Sequence, residues 1–301
     1  MGTRFRVDVL VGDEAWGRAV IEEALAEVER CEETLSTWSE TSQISAVNRA
    51  AGTAAVAVSL ELEEVLGRAL TISELTGGAF DVTFASCQGL WSVAKRRIPD
   101  DSDIASCLPH VGYRKVMLDR QRSLVFITDP ATRVGLDGLA KGYRVDRAAE
   151  VLVRRGVADY AIDGGGDIRL AVSGDGAPWH VPVAHPRRPD TILGTLALAT
   201  GAVATSGDYE WFFERDGVRY HHILDPATGR PARRSIAATV IAPTAVEADA
   251  LATGLFVMGP RRALALVEGL PNVEALLVAP DLSLHVSSGF PPFVEARSEG
   301  R

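Results

Sequence analysis

The chain has 301 residues, 47% of them hydrophobic, and a formal net charge of -9. That is enough apolar material for a large core, which excludes global disorder, and the acidic balance excludes nucleic acid as the main partner. No apolar run is long enough to span a bilayer, no basic-then-apolar leader opens the chain, and the three cysteines (Cys31, Cys87, Cys107) lack metal-site spacing. These features point to a cytoplasmic protein with reduced thiols, read as a single domain over 1–301 with no separate linker or leader.

Phe5 to Val11 alternates polar and apolar residues and predicts a strand. Trp16, Val20, Leu25, Val28 and Leu35 recur at near-helical spacing and predict an amphipathic helix. It runs into a polar segment, Ser36 to Asn48, whose one aromatic is Trp38; on residue chemistry alone this is a surface loop. Leu60 to Leu75 outlines a second helix, stopped by Gly77-Gly78. Two glycines before Asp81 mark a close approach of backbone, either to another strand or to a ligand. Arg96 to Pro109 reads as irregular and charged. Residues 115–118 and 124–127 read as a hairpin, with Asp119 and Arg120 in its turn.

Val134 to Tyr143 is a glycine-containing loop that enters a helix, Arg144 to Arg155. Free backbone N–H groups and the helix dipole make such a loop an anion site, and Lys141 adds a positive charge. A plain strand-to-helix turn with a surface lysine is the alternative. The loop lacks the Gly-Lys-Ser/Thr end of a Walker A motif and the spacing of a dinucleotide fingerprint. Tyr160 to Leu170 is a strand interrupted by Gly164-Gly165-Gly166, and Trp179 to Ala184 and Leu193 to Thr200 are further strands. Thr205-Ser206-Gly207-Asp208 predicts a tight turn. Arg219 to Leu224 predicts a strand with His221 and His222 on opposite faces, ended by Asp225-Pro226, and Gly229-Arg230-Pro231 is a second turn. On residues alone this stretch fits a hairpin with a polar tip as well as a functional site. Ile236 to Ala242 is an apolar strand, and a helix follows from Glu247 to Met258. There Asp249 and Thr253, four residues apart, share one face. Two hard oxygens so placed suit Mg²⁺, although an aspartate near a helix start also serves the dipole alone.

Thr205-Ser206-Gly207-Asp208-Tyr209, the run from His221 to Pro231, and Val240 to Gly259 together resemble the ApbE family, the FAD:protein FMN transferases. Ser42-Gln43-Ile44-Ser45 with Asn48, Gly78-Ala79-Phe80-Asp81, Leu90-Trp91, Val134 to Tyr143 and Gly164 to Arg169 are similar to further family segments in the same order. Within Val134 to Tyr143 the chain departs from that pattern, with Gly135 where an aspartate is frequent and Asp137 where a small residue is usual. The resemblance implies an α+β fold of two interleaved lobes with the flavin nucleotide in the cleft between them. It implies FAD contacts from Met1, Trp38 (a stacking surface), Ala79, Phe80, Asp81, Asp137, Lys141, His222 and Ile223. It also implies Mg²⁺ on Asp249, Thr253 and the Ala140 carbonyl, with Ala252 offering only a backbone carbonyl where some relatives carry an acid. Catalysis then falls to Asp249 and Thr253, with His222 a candidate for proton handling or phosphate contact because histidine does either near neutral pH, moving FMN from FAD onto a Thr or Ser of an acceptor flavoprotein as AMP leaves. A Mg²⁺-dependent FAD diphosphatase and a non-catalytic FAD-binding protein are the alternatives.

Overall fold

The structure, a computed structural model, describes residues 3–35, 37, 39–292 and 294–295. The chain opens with β1 (Phe5–Val9), α1 (Glu14–Leu35), α2 (Gln43–Arg49), β2 (Val56–Ala57) and α3 (Leu60–Leu75). A 3-10 turn at Val82–Cys87 leads to α4 (Asp101–Cys107), the hairpin strands β3 (Val116–Asp119) and β4 (Leu124–Ile127), and α5 (Ala140–Arg154). A run of strands follows: β5 (Tyr160–Gly164), β6 (Ile168–Ala171), β7 (Trp179–Ala184), β8 (Ile192–Leu198) and β9 (Thr200–Gly207). Next come β10 (Phe212–Arg215), β11 (Val218–His221), the short β12 (Leu224–Asp225) and β13 (Arg230–Pro231), and β14 (Ala237–Ala242). Then come α6 (Ala245–Met258), α7 (Pro260–Val267), β15 (Glu274–Val278), β16 (Leu284–Val286) and β17 (Val294–Glu295).

A seven-stranded sheet in the order β1-β5-β6-β9-β14-β15-β16 organises this α+β fold, and every pairing in it is antiparallel. Side chains alternate across a strand, so each face needs its own cover. Ala202 and Ala204 of β9 and Ala238 and Val240 of β14 face the main core with α1, α3, α5 and α6. Val203 of β9 and Leu170 of β6 turn the other way, against Val181 and Val183 of β7 and Leu196 of β8. The small sheet β17-β8-β7 thus lines the second face.

α6 lies between the sheet and α3, in contact with β9, β14, α3 and α5. Only Glu247 and Thr253 of its residues escape full burial. A helix apolar all round is what such a central position requires, and fully burying Leu255 and Phe256 contributes about 1.5–3 kcal/mol each. Gly254 lets Thr76 and Phe80 approach: a Cβ there would fall 2.7 Å from the Thr76 methyl.

Helices α1 and α3 and the β3–β4 hairpin form where periodicity places them, and Asp119 Oδ1 accepts the Gln121 and Arg122 N–H groups in the hairpin turn. Several local expectations are corrected, among them the Arg219–Leu224 strand, which divides after His221 into β11 and β12. The Ser36–Asn48 segment contains α2, because Ser42 caps it by accepting the Ser45 N–H. Asp101–Cys107 is helical inside the stretch read as irregular. Thr205, Ser206 and Gly207 belong to β9, paired with Thr239, Ala238 and Ala237 of β14, and the turn begins only at Asp208. Finally, Cys87 and Cys107 are joined in a disulfide with a Cα–Cα distance of 5.5 Å, leaving Cys31 as the buried free thiol. Disulfides persist in oxidising compartments, so the cytoplasmic assignment loses the support it drew from the cysteines. Among the described residues no helix is long and apolar enough to cross a membrane.

Candidate functional site

The site grows from the meeting of two helix starts. The first turn of a helix leaves N–H groups without intrahelical partners, and here each helix supplies a carboxylate to the other. Asp249 of α6 accepts the Gly142 N–H of α5 on Oδ2 at 3.1 Å. Asp146 of α5 accepts the Ala245 and Val246 N–H groups of α6, each at 2.9 Å. The approach depends on glycine: a Cβ on Gly142 would stand 2.2 Å from the Ala245 carbonyl oxygen. Part of the anion-binding capacity expected of the loop entering α5 is therefore taken up by the protein's own Asp249. Asn48 fixes that loop from behind, exchanging two hydrogen bonds with the backbone of Val134.

Lys141 occupies the second position of α5. Its ammonium lies 2.9 Å from Asp167 Oδ2 and 3.9 Å from Asp249 Oδ1. Burial works to lower the Lys141 pKa, but Asp249 and Asp167 outweigh it and hold the group above its usual range. Asp167 is 1% exposed. Burial pushes its carboxyl well above the ordinary value, the Asp249 carboxylate pushes the same way, and Lys141 opposes both. Thr253, one turn beyond Asp249, shares a 3.2 Å hydrogen bond with the Ser206 hydroxyl of β9. Asp249, Thr253, Lys141 and Ser206 thus converge from α6, α5 and β9.

The two histidines do face opposite ways. His221 is buried, its Nε2 2.8 Å from the Ala232 carbonyl, and its Nδ1 accepts the Ile223 N–H. Burial lowers its pKa to about 4. His222 sits where the strand breaks between β11 and β12. Its N–H donates to the Trp211 carbonyl at 3.1 Å, and its Nδ1 lies 3.3 Å from the same oxygen. His222 is accessible to water yet enclosed by surrounding protein. That enclosure lowers its pKa, and the nearby Lys141 ammonium lowers it further. Ile223 is buried beside it, and its carbonyl accepts the Ala232 N–H.

Of the remaining expected contacts, Ala79, Phe80 and Asp81 lie in the segment after α3 and Asp137 in the loop before α5. Phe80 is buried with its ring against Gly138 and its Cβ against Gly254, which joins the Gly78–Asp81 segment to the α5 loop and to α6. Ala79 is half-buried beside it. Asp81 caps the following turn: Oδ1 accepts the Thr83 N–H and hydroxyl, and Oδ2 the Tyr113 N–H. Burial raises its pKa, and the Thr83 bonds oppose the rise. Asp81 also lines a cavity of about 240 Å³ with Gly77, Gly78, Tyr113 and Pro226. A larger cleft of about 440 Å³ between α3 and β3 carries none of these residues except Tyr113. Asp137 is half-exposed and accepts a hydrogen bond from Gln88 at 2.9 Å. Met1 and Trp38 lie outside the described residues.

Asp167 and Ser206 are the residues that sequence reasoning did not select. The three glycines before Asp167 signalled close approach, but only the fold brings that carboxylate to Lys141. Among the described residues no three His, Cys, Asp or Glu side chains form a metal cluster. What is present, the Asp249 carboxylate with the Thr253 and Ser206 hydroxyls, is a set of hard oxygen donors that fits a hard divalent cation if substrate or water completes the shell. Ala140 begins α5, buried, and its carbonyl accepts the Arg144 Nε–H at 3.0 Å beside the Arg144 backbone N–H of the helix, so serving a metal would require it to release one of these donors. Ala252 lies in the interior of α6 and adds no side-chain ligand.

Fold and site define a mixed α+β protein with a buried acid–lysine centre where two helix starts cross. The chain belongs to the ApbE family, whose model matches residues 1–277. The FAD:protein FMN transferase of Treponema pallidum is 33% identical over 90% of this chain and 80% of its own length. The enzyme of the same name from Vibrio cholerae is 32% identical over 98% and 90%. Among solved structures, the ApbE protein of Thermotoga maritima superposes with a TM-score of 0.87 at 34% identity, covering 96% of this chain and 95% of its own. The flavin transferase ApbE of Vibrio cholerae gives 0.82 at 31%, over 98% and 96%. This is a family of transferase enzymes.

Proposed function

We propose that this chain is a flavin transferase that cleaves FAD and attaches FMN through a phosphoester bond to a Thr or Ser hydroxyl of an acceptor flavoprotein, releasing AMP. The observation that carries this reading is the convergence of Asp249, Thr253 and Lys141 in a chain whose relatives are named FAD:protein FMN transferase, with His222 close enough for the Lys141 ammonium to lower its pKa. Asp249, Thr253 and the Ala140 carbonyl would hold Mg²⁺, which when bound neutralises charge on diphosphate oxygens. Phosphoryl transfer depends mainly on positioning and on such charge neutralisation.

The protein's own groups supply the rest. Lys141 offers a cation to the diphosphate. The Nδ1–H of His222 donates to the Trp211 carbonyl, which leaves the Nε2 lone pair free to accept a proton. The lowered pKa keeps the ring neutral near pH 7, the form a general base requires. As the acceptor oxygen bonds to the FMN phosphorus, its proton passes to Nε2 and the bond to the AMP phosphate breaks. Ala79, Phe80, Asp81, Asp137 and Ile223 are the residues expected to contact the flavin nucleotide.

Asp249→Asn tests this directly. The amide oxygen still accepts the Gly142 N–H, so the α5–α6 junction is retained while the charge is lost. Mg²⁺-dependent FAD cleavage is expected to disappear with the melting temperature nearly unchanged. Full cleavage by the folded variant would rule out Asp249 as the metal ligand.

A further inference from the structure

We infer that Asp167 is a positioning residue that holds the Lys141 ammonium away from Asp249, leaving Asp249 free to take a divalent cation. This rests on the metal reading given above. One ammonium faces two carboxylates: it is hydrogen-bonded to Asp167 at 2.9 Å, whereas Asp249 stands at the outer limit of an ion pair, 3.9 Å away. The two oxygens of Asp249 differ: Oδ2 is engaged by the Gly142 N–H, whereas Oδ1 is the one that faces Lys141. The oxygen that a cation would use is therefore the one that Lys141 would seize if it lost its other partner.

The backbone fixes Asp167 in this role. Asp167 ends the β5–β6 turn, in which Gly165 and Gly166 take φ values of +70° and +94° that other residues rarely adopt. The Gly164 N–H donates to the Asp167 carbonyl at 2.9 Å, and the Gly166 N–H to Asp163 Oδ1 at 2.7 Å. The turn is closed at both ends, so the carboxylate is presented to α5 by a rigid element rather than by a loop free to follow the lysine. Lys141 has the longer and more mobile side chain, and it is the partner that moves when the balance changes.

Binding of Mn²⁺ alone, followed by its electron paramagnetic resonance signal without FAD, tests this on the full chain. Asp167→Asn is expected to weaken Mn²⁺ binding about tenfold or more, because an ammonium at about 3 Å then neutralises Asp249. A crystal structure of that variant should show Lys141 Nζ within hydrogen-bond distance of Asp249 Oδ1. Adding Lys141→Met to Asp167→Asn should restore affinity to near that of the unaltered chain. Lys141→Met alone, in which nothing competes for Asp249, should bind at least as tightly as the unaltered chain. Unchanged affinity in Asp167→Asn, a double variant as weak as Asp167→Asn, or a lysine that stays in place would overturn the inference. Absence of Mn²⁺ binding by the unaltered chain would overturn the metal reading instead.

Discussion

Gly142→Ala is the substitution for which helix propensity and packing predict opposite signs. Alanine in a helix is favoured over glycine by about 1 kcal/mol, so an isolated α5 would gain. In the folded protein the added Cβ stands 2.2 Å from the Ala245 oxygen, 2.5 Å from the Ala245 carbonyl carbon and 2.8 Å from Val246 Cα. All three are backbone atoms of the first turn of α6 and have no rotamer through which to yield. Relief requires the helices to part by roughly 1 Å, and overpacking of this kind costs about 1–3 kcal/mol. Parting also loosens the Gly142–Asp249 bond and the two bonds to Asp146, adding on the order of 1–3 kcal/mol for buried bonds to charged groups. The net expectation is a loss of about 2–4 kcal/mol, or a fall in Tm of roughly 3–6 °C for a chain of this size. Thermal unfolding followed by circular dichroism reads this out, with Mn²⁺ binding as the report from the site. A Tm within about 1 °C of the parent, or above it, would show that α5 and α6 are not seated this closely.

Three further outcomes follow from the same contacts. Burial holds His221 near pKa 4 in the folded chain, against an ordinary value of 6.5. The unfolded chain thus binds the additional proton first on acidification. Stability should be intact above about pH 6.5 and decline as the pH falls towards 4, by up to about 3 kcal/mol; His221→Gln should flatten the slope of unfolding free energy against pH in that window. Asp146→Ala strips the acceptor from two N–H groups at the start of α6 and from Arg169, so urea unfolding should show a loss of about 2–4 kcal/mol. Thiol titration of the denatured, unreduced protein should find Cys31 alone, and reduction of Cys87–Cys107, 20 residues apart, should cost about 3 kcal/mol by loop-closure entropy.

Much of the fold was legible because its determinants are local. The periodicity of α1 and α3, the strand at Trp179–Ala184 and the turn chemistry of Asp119 each lie within a few residues, and all form as expected. Asp249 and Thr253 shared a face by helix geometry alone, and the opposite orientations of His221 and His222 followed from the strand period. What was hidden depends on partners distant in sequence. Thr205-Ser206-Gly207 has the chemistry of a turn, yet β14 pairs with it residue by residue and overrides that preference. Cysteine spacing carried no sign that Cys87 and Cys107 come within bonding distance. The Arg219–Leu224 strand divides into β11, paired with β10, and β12, paired with β13, partners that lie outside the stretch itself. Asp167 and the reciprocal Asp146 and Asp249 caps belong to this second group. Each is a carboxylate whose role is set by another element.

The central claim is the transfer itself. Incubation of the full chain with FAD, Mg²⁺ and a Thr-containing flavin-acceptor polypeptide, with the products weighed by mass spectrometry, addresses it in one step. The account predicts an acceptor carrying covalent FMN together with released AMP. Free FMN and AMP beside an unmodified acceptor would contradict it in favour of a diphosphatase, and intact FAD in a tight complex would contradict it in favour of a flavin-binding protein.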